Sequence, residues 1–450
     1  MKREQRLALL ATIIGSGIVI LDSTVVNLAL PHISTSLHAS FADLQWIADG
    51  YLLSLSALIL LGGSLGDIFG RKKVYMIGLL GFGAASLLCG LSPNATTLII
   101  MRLVQGIFGA LLVPGGLAII NTNFPMTERG AAIGAWSAWS AIFAALGPLL
   151  GGYILGVASW RWIFLINVPL VILCYLVGSV SIKEGKDSRV RRVDVKGSIY
   201  AMLSLAGITY GLIEGSANHW KVHAVLPLIA GLVIGAVFIR NQQRSKDPMV
   251  HLDLFKSRNF TGSNLMTFGM YGALGGFMFA LVIYLQTKLG YSSIKAGLAL
   301  IPVTIFLMLF SRRIGGLSSK LGPRIFMTAG PLIAGLGILS LYRLSPSHAS
   351  YLTVVLPGVI VFAAGLTLLV APLTTTVMTS VADESSGIAS GINNAVARVA
   401  GLIVIAVLGI FGASHVFRFA IILCAAMAIA SGVISFLTIQ NPKPAKAKKP

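Results

Sequence analysis

Residues Gly62–Lys73 read GGSLGDIFGRKK. This stretch joins two apolar runs, near 44–65 and 74–91, each close to the roughly twenty residues a helix needs to cross a hydrocarbon core of about 30 Å. A glycine-rich turn closed by Arg71, Lys72 and Lys73 suits the polar edge of a bilayer. Working outward, the same alternation of apolar run and short polar turn fills the chain. Of its 450 residues, 56% are hydrophobic and 11% charged, and the mean hydropathy is +0.87. Soluble domains carry about 25% charged residues, so the bilayer has to be the solvent.

Apolar runs fall near 7–30, 44–65, 74–91, 97–120, 131–157 and 162–182, then near 195–214 and 224–240, and finally near 260–285, 292–316, 322–342, 351–379, 388–411 and 415–438. They predict an all-α membrane protein with fourteen spans and no soluble domain. The first run, Leu7–Leu30, is too long for a signal-peptide core and no small-residue cleavage site follows it, so it reads as the first span. A second Gly-rich basic turn, GGLSSKLGPR over Gly315–Arg324, echoes the first. The simplest account is a repeat: a six-helix bundle over 1–182, two inserted spans over 183–258, a second six-helix bundle over 259–440 and a basic tail over 441–450. Paired bundles around a midplane site are a known transporter plan.

The net charge of +20 has a topological origin. Lys and Arg gather at the N-terminus (Lys2, Arg3, Arg6), at Arg71–Lys73, between Lys183 and Lys196, between Arg240 and Arg258, at Arg312, Arg313, Lys320 and Arg324, and in the tail. Those sites share one side of the membrane if both termini are cytoplasmic. The basic balance then answers anionic lipid in a cell inner (plasma) membrane, with no nucleic-acid partner. Cys89, Cys174 and Cys424 lie in apolar runs without metal or disulfide spacing. There is no nucleotide loop of the G-x-x-x-x-G-K-[ST] kind and no nucleophile–His–acid set. Neither ATP in cis, a metal, another cofactor nor enzyme catalysis is expected, and a monomer is.

Several motifs, in order along nearly the whole chain, resemble the major facilitator superfamily. GGSLGDIFGRKK is similar to its loop signature, and RLVQG (Arg102–Gly106) to its fourth-span motif. LDSTVVNLALP (Leu21–Pro31), QWIADGYLL (Gln45–Leu53), GPLLGG (Gly147–Gly152), WRWIFLINVP (Trp160–Pro169), YLQTKLGYSSIKAGLALIP (Tyr284–Pro302) and SGIASGINNAVARVAG (Ser386–Gly401) resemble the fourteen-span drug:proton antiporters of the EmrB/QacA type. The resemblance implies the major facilitator fold and proton-coupled export of hydrophobic or cationic drugs by alternating access, with protons as the coupling ion. The alternative is a lipid or lipid-like metabolite exporter of the same fold. A non-transporting receptor or scaffold is disfavoured because no soluble sensory domain is visible. Phe143 stands where the fifth-span motif has a further Gly, the tenth span lacks an acid, and Lys320 replaces the equivalent of Asp67.

Charges inside a bilayer cost at least about 2.5–3.5 kcal/mol at its centre, which singles out Asp22, Asp49 and Arg102. Counted at 1.5 Å per residue, all three are expected roughly 8–12 Å below the outer surface, at one depth and in reach of one cavity. Desolvation of a carboxylate favours its proton and a nearby guanidinium opposes this, so a moving Arg can switch proton affinity. In the family the two acids are implicated in protonation and the Arg in modulating it. The competing assignment is a structural Asp–Arg pair that locks helices together. The resemblance further implies a gating loop of Gly63, Asp67, Gly70 and Arg71, with Glu128 and Arg129 joining it, in which Asp67 faces a helix N-terminus of the other half. Gly147–Pro148 is expected to kink the fifth span, with Gly151 and Gly152 permitting close packing. Candidate cavity residues are Asn27, Met266, Met270, Tyr271, Phe277, Tyr284, Gln286, Asn393 and Arg398. Ordinary core or lipid contact competes for the apolar ones, and carbonyl capping for Arg398.

Overall fold

A computed structural model describes residues 2–185, 193–217, 220–245, 247–347, 350–382 and 386–441; the expected basic tail falls almost wholly outside them. The first half comprises α1 (Arg3–Leu37), α2 (Phe41–Phe69), α3 (Arg71–Gly90), α4 (Ala95–Asn123), α5 (Met126–Val157), the short α6 (Trp162–Leu165) and α7 (Asn167–Ser181). A hairpin of α8 (Val195–Ala217) and α9 (Val222–Arg244) follows. The second half comprises α10 (Arg258–Thr287), α11 (Ser293–Leu321), α12 (Pro323–Ser340), α13 (Leu356–Thr379), α14 (Ser386–Leu408) and α15 (Gly412–Thr438).

Among the described residues, twelve helices are long and apolar enough to cross a membrane, where the sequence predicts fourteen spans. The helix that falls short is α8; α5 is only partly covered by the described side chains, and within them it shows the apolar stretch Leu146–Val157. Small and weakly polar residues (Gly197, Ser198, Ser204, Thr209, Gly211) and Glu214 dilute the apolar content of α8.

The helix starts are written in local chemistry. Ser40 accepts a hydrogen bond from the Asp43 amide while Asp43 reaches back to Ser40, a reciprocal cap that opens α2. Asn94 caps α4 and Ser292 caps α11 in the same one-sided way. The echoed turns also match in backbone. Gly70 ends α2 with φ 116° and Gly322 ends α11 with φ 88°, a region that favours glycine because other residues carry a clashing Cβ.

The repeat extends to tertiary packing. In the first half α1 packs on α5 and α7, α4 on α2 and α3, and α3 on α7; in the second, α10 packs on α14 and α15, α13 on α11 and α12, and α12 on α15. Counting α6 and α7 as one span, these are the same pairings. The halves meet through α2 with α14, α5 with α11 and α1 with α10. The hairpin leans on this seam: α8 packs on α2 and α14, whereas α9 packs on α8. Trp46 of α2 donates from Nε1 to Glu214 of α8 at 3.2 Å.

Candidate functional site: buried charges between the halves

Asp22 sits in the middle of α1. The helix runs to Leu37, well past the expected end of the span, so Asp22 lies fifteen residues, about 22 Å, from that end. It is therefore deeper than the sequence suggests. Arg102 Nη1 donates to Asp22 Oδ2 and, at 2.7 Å, to Gln105 Oε1, while its Nε donates to the Ile47 carbonyl at 3.0 Å. Gln105 Nε2 and Asn167 Nδ2 donate to Asp22 Oδ1 at 3.0 and 3.2 Å, and both also reach Ser86 Oγ. The guanidinium lies over the Tyr51 ring, 4.3 Å from its centroid. Five helices thus supply one hydrogen-bonded knot. Both charged side chains are at most 1% exposed, so the expected groove is a sealed centre within the first half. Gln105, Asn167 and Ser86 escaped the sequence reading because neutral polar residues cost little inside a span. Gln105, within RLVQG, and Asn167, within WRWIFLINVP, nonetheless lay inside quoted motifs.

Asp49 does not join the knot. It is fully buried on α2, and neither carboxylate oxygen has a hydrogen-bond partner. Its neighbour one turn back, Gln45, donates to the Ile405 and Ala406 carbonyls of α14 at 2.6 and 3.3 Å. The face of α2 that carries Gln45 and Asp49 therefore turns toward the seam, and the shared cavity of three charges expected from sequence divides into two sites.

Three hydrogen-bonding side chains link α1 to α10 and α11 at one membrane face. His32 Nε2 and Ser293 Oγ are 2.6 Å apart, Ser293 Oγ donates to Gln286 Oε1 at 3.0 Å, and Gln286 Nε2 donates to the Leu28 carbonyl at 3.0 Å. A Cβ on Gly297 would come within 2.2 Å of the Pro148 carbonyl oxygen, and one on Gly152 within 2.9 Å of the Ser293 carbonyl. The glycines of the fifth-span motif therefore serve close helix contact. Gly147 packs on Thr24, Gly151 on Val25, and α5 continues through Pro148. Gln286 belongs to this closure and not to an open cavity.

At the opposite face, Asp67 pairs with Arg71 at 2.8 Å, and Arg71 Nη1 donates to Thr122 Oγ1 at 2.8 Å. Asp67 thus meets α3 and, through Arg71, α4. Among the described residues, Asp67 makes no hydrogen bond or ion pair to the other half, where the resemblance places a helix N-terminus. The α3 N-terminus is covered by Glu184, which accepts from the Lys72 and Lys73 amides at 3.0 and 3.2 Å, a carboxylate where a helix N-terminus favours one. Arg129 stays outside the network, donating from Nε to the Phe124 carbonyl at 2.9 Å. Gly63 packs against Pro114.

In the second half, Met266, Met270 and Phe277 are fully buried core residues, not cavity walls. Tyr284 stacks on Phe417. Tyr271, Asn393 and Asn394 line a cavity of about 80 Å³. Asn27 and Arg398 are half-buried.

Two matched helical bundles, joined at one face and holding isolated charges at mid-depth, define a multi-pass membrane transporter. The chain belongs to the Major Facilitator Superfamily, whose profile matches residues 12–405. It is 32% identical over 414 residues to the tetracenomycin C resistance and export protein of Streptomyces glaucescens, covering 91% of this chain and 76% of that one. It is 34% identical to the puromycin resistance protein of Streptomyces alboniger, covering 87% and 78%, and 34% to the methylenomycin A resistance protein of Streptomyces coelicolor, covering 89% and 84%. Its fold is similar to that of a bacterial homologue of the human lysosomal transporter Spinster in an inward-facing, unoccupied conformation (TM-score 0.70, 14% identity, 99% and 100% covered). It is also similar to a POT family transporter (TM-score 0.72, 13% identity, 95% of each chain).

Proposed function

We propose that the chain is a proton-coupled exporter of hydrophobic compounds that works by alternating access, with α5 and α8 also crossing the membrane and both termini cytoplasmic. The observation that carries this reading is the contrast between two buried acids of one half. Asp22 is neutralised by Arg102 and two amides, whereas Asp49, at the seam, has no partner. An ionised carboxylate buried without a partner costs several kcal/mol, so Asp49 is best accommodated in this arrangement as the neutral acid. Releasing its proton requires water or a cation at the seam, which the opening of one face supplies. Proton transfer at Asp49 is then tied to the opening and closing of the seam through which cargo moves, and the Asp22–Arg102 knot holds the first half rigid behind it. The named relatives support export of antibiotics, and the closure at the Ser293 face supports a state open toward the face that carries Arg71.

The test is movement of a lipophilic dye into liposomes containing the purified chain, driven by an imposed pH gradient. Asp49→Asn is expected to abolish gradient-driven accumulation while leaving dye binding intact. Undiminished accumulation in Asp49→Asn would refute the coupling role.

A further inference from the structure

One deep charge has no part in this scheme. Arg398 lies on α14, half-buried, with a buried Nε that meets no hydrogen-bond partner. Among the described residues it makes no ion pair, and the Tyr51 hydroxyl of α2 lies close enough to feel its charge. Its own bundle is poor in acids: after Asp253 the only Asp and Glu residues in the sequence are Asp383 and Glu384, which precede the start of α14 at Ser386, itself twelve residues, about 18 Å of helix, before Arg398. In the facing half, Asp22 is committed to Arg102. Asp49 lies on the helix opposite, but no ion pair joins the two. Since Gln45 meets Ile405 across the antiparallel α2 and α14, Asp49 stands about one helical turn from the level of Arg398.

The surroundings are equally one-sided. The cavity of about 80 Å³ next to this turn of α14 is lined by five neutral polar residues, Tyr271, Thr374, Ser390, Asn393 and Asn394, and by three apolar ones, with no charged side chain among them. Asn393 is fixed there, donating to Asn264 Oδ1 at 3.1 Å and Thr267 Oγ1 at 2.8 Å. A guanidinium is always charged and presents a planar fork that matches a carboxylate or a pair of adjacent oxyanions. Away from bulk water such a pairing strengthens. An unsatisfied guanidinium Nε, a neighbouring cavity without charge and no acid on α14 among the described residues describe a site short of one negative charge.

We propose that Arg398 is a substrate-binding residue that selects exported compounds bearing an acidic group, a carboxylate or an ionised phenol or enol, which completes the missing ion pair at the seam. This rests on the export reading and names the substrate class for it. It also revises the sequence expectation of a cationic cargo: Asp49 then serves the proton and Arg398 the cargo.

The experiment uses two dyes built on one ring system, anionic fluorescein and cationic, esterified rhodamine 6G, with binding to the purified full-length chain followed by fluorescence anisotropy. Wild type is expected to bind fluorescein saturably. R398Q is expected to weaken that binding roughly tenfold or more, from the loss of charged hydrogen bonds, with rhodamine 6G binding unchanged and fluorescein binding retained in D49N. Equal fluorescein affinity in R398Q and wild type overturns the proposal, as does wild type binding rhodamine 6G alone. An equal loss in D49N and R398Q also overturns it, because Arg398 would then serve Asp49. If R398Q does not fold, R398K decides by the same measurement: it keeps the charge but loses the fork, so a selective loss for fluorescein supports the site and unchanged affinity overturns it. The export reading stands or falls separately, on pH-driven dye movement in liposomes.

Discussion

Arg102 on α4 holds Asp22 on α1 through Nη1, in a centre where neither side chain is more than 1% exposed. Removing one partner leaves the other charge buried alone, which costs about 3–5 kcal/mol. Arg102→Ala, which also removes a donor from Gln105 Oε1 and from the Ile47 carbonyl, is expected to lower the melting temperature in detergent sharply. The double variant Asp22→Asn/Arg102→Gln is expected to recover part of that loss. Additive losses in the double-mutant cycle would remove the knot from the stability of the first half.

Asp49 predicts the opposite pattern. It has no hydrogen bond to lose, so the near-isosteric Asp49→Asn should leave stability within about 1 kcal/mol of wild type. Thermal melting checks this in the same preparations used for transport. A large destabilisation would mean that the carboxylate has a structural partner.

The His32–Ser293–Gln286–Leu28 chain ties α1, α10 and α11 at one face. A neutral hydrogen bond contributes about 0.5–1.5 kcal/mol net, so Ser293→Ala, which breaks two of the three links, should shift the balance between open and closed several-fold or more. Cysteine placed at Asn27 and titrated with a membrane-impermeant maleimide reports it, since native Cys89, Cys174 and Cys424 are buried. Faster labelling in Ser293→Ala than in wild type is the expected result; equal rates would show that the closure does not need these bonds.

Gly297 offers a purely steric test. An added Cβ meets the Pro148 carbonyl oxygen at 2.2 Å, whereas one on Gly316 of the same helix meets nothing within 4 Å. Gly297→Ala should force α5 and α11 apart, speed labelling at the same probe position and depress transport. Gly316→Ala should leave both near wild type, with at most a small gain from helix propensity.

Much of this was legible from the chain itself, and for definite reasons. A span must be apolar along its whole length, so composition alone announced the helices. The least apolar of them, α8, carries its small and polar residues where it packs closely on α9 or touches α2. The Gly70 and Gly322 turns announced the repeat, because a positive φ demands glycine in both copies. The isolated charges stood out because the bilayer penalises each one. What the spacing of residues could not say was which charges face each other. Depth along a helix is a one-dimensional count, and it placed Asp22, Asp49 and Arg102 together.

Sequence by itself determined a membrane protein of two repeated helical bundles, the positions of its turns, and the short roster of buried charges. Only the tertiary structure decided that Asp22 belongs to Arg102 while Asp49 and Arg398 stand unpaired at the seam, that Gln286 and the unforeseen His32 close one face, and that Met266 and Met270 are core. Helix rotation and the choice of packing partner depend on contacts between residues far apart in the chain, and local apolar periodicity carries almost no record of them when every side of a helix is hydrophobic.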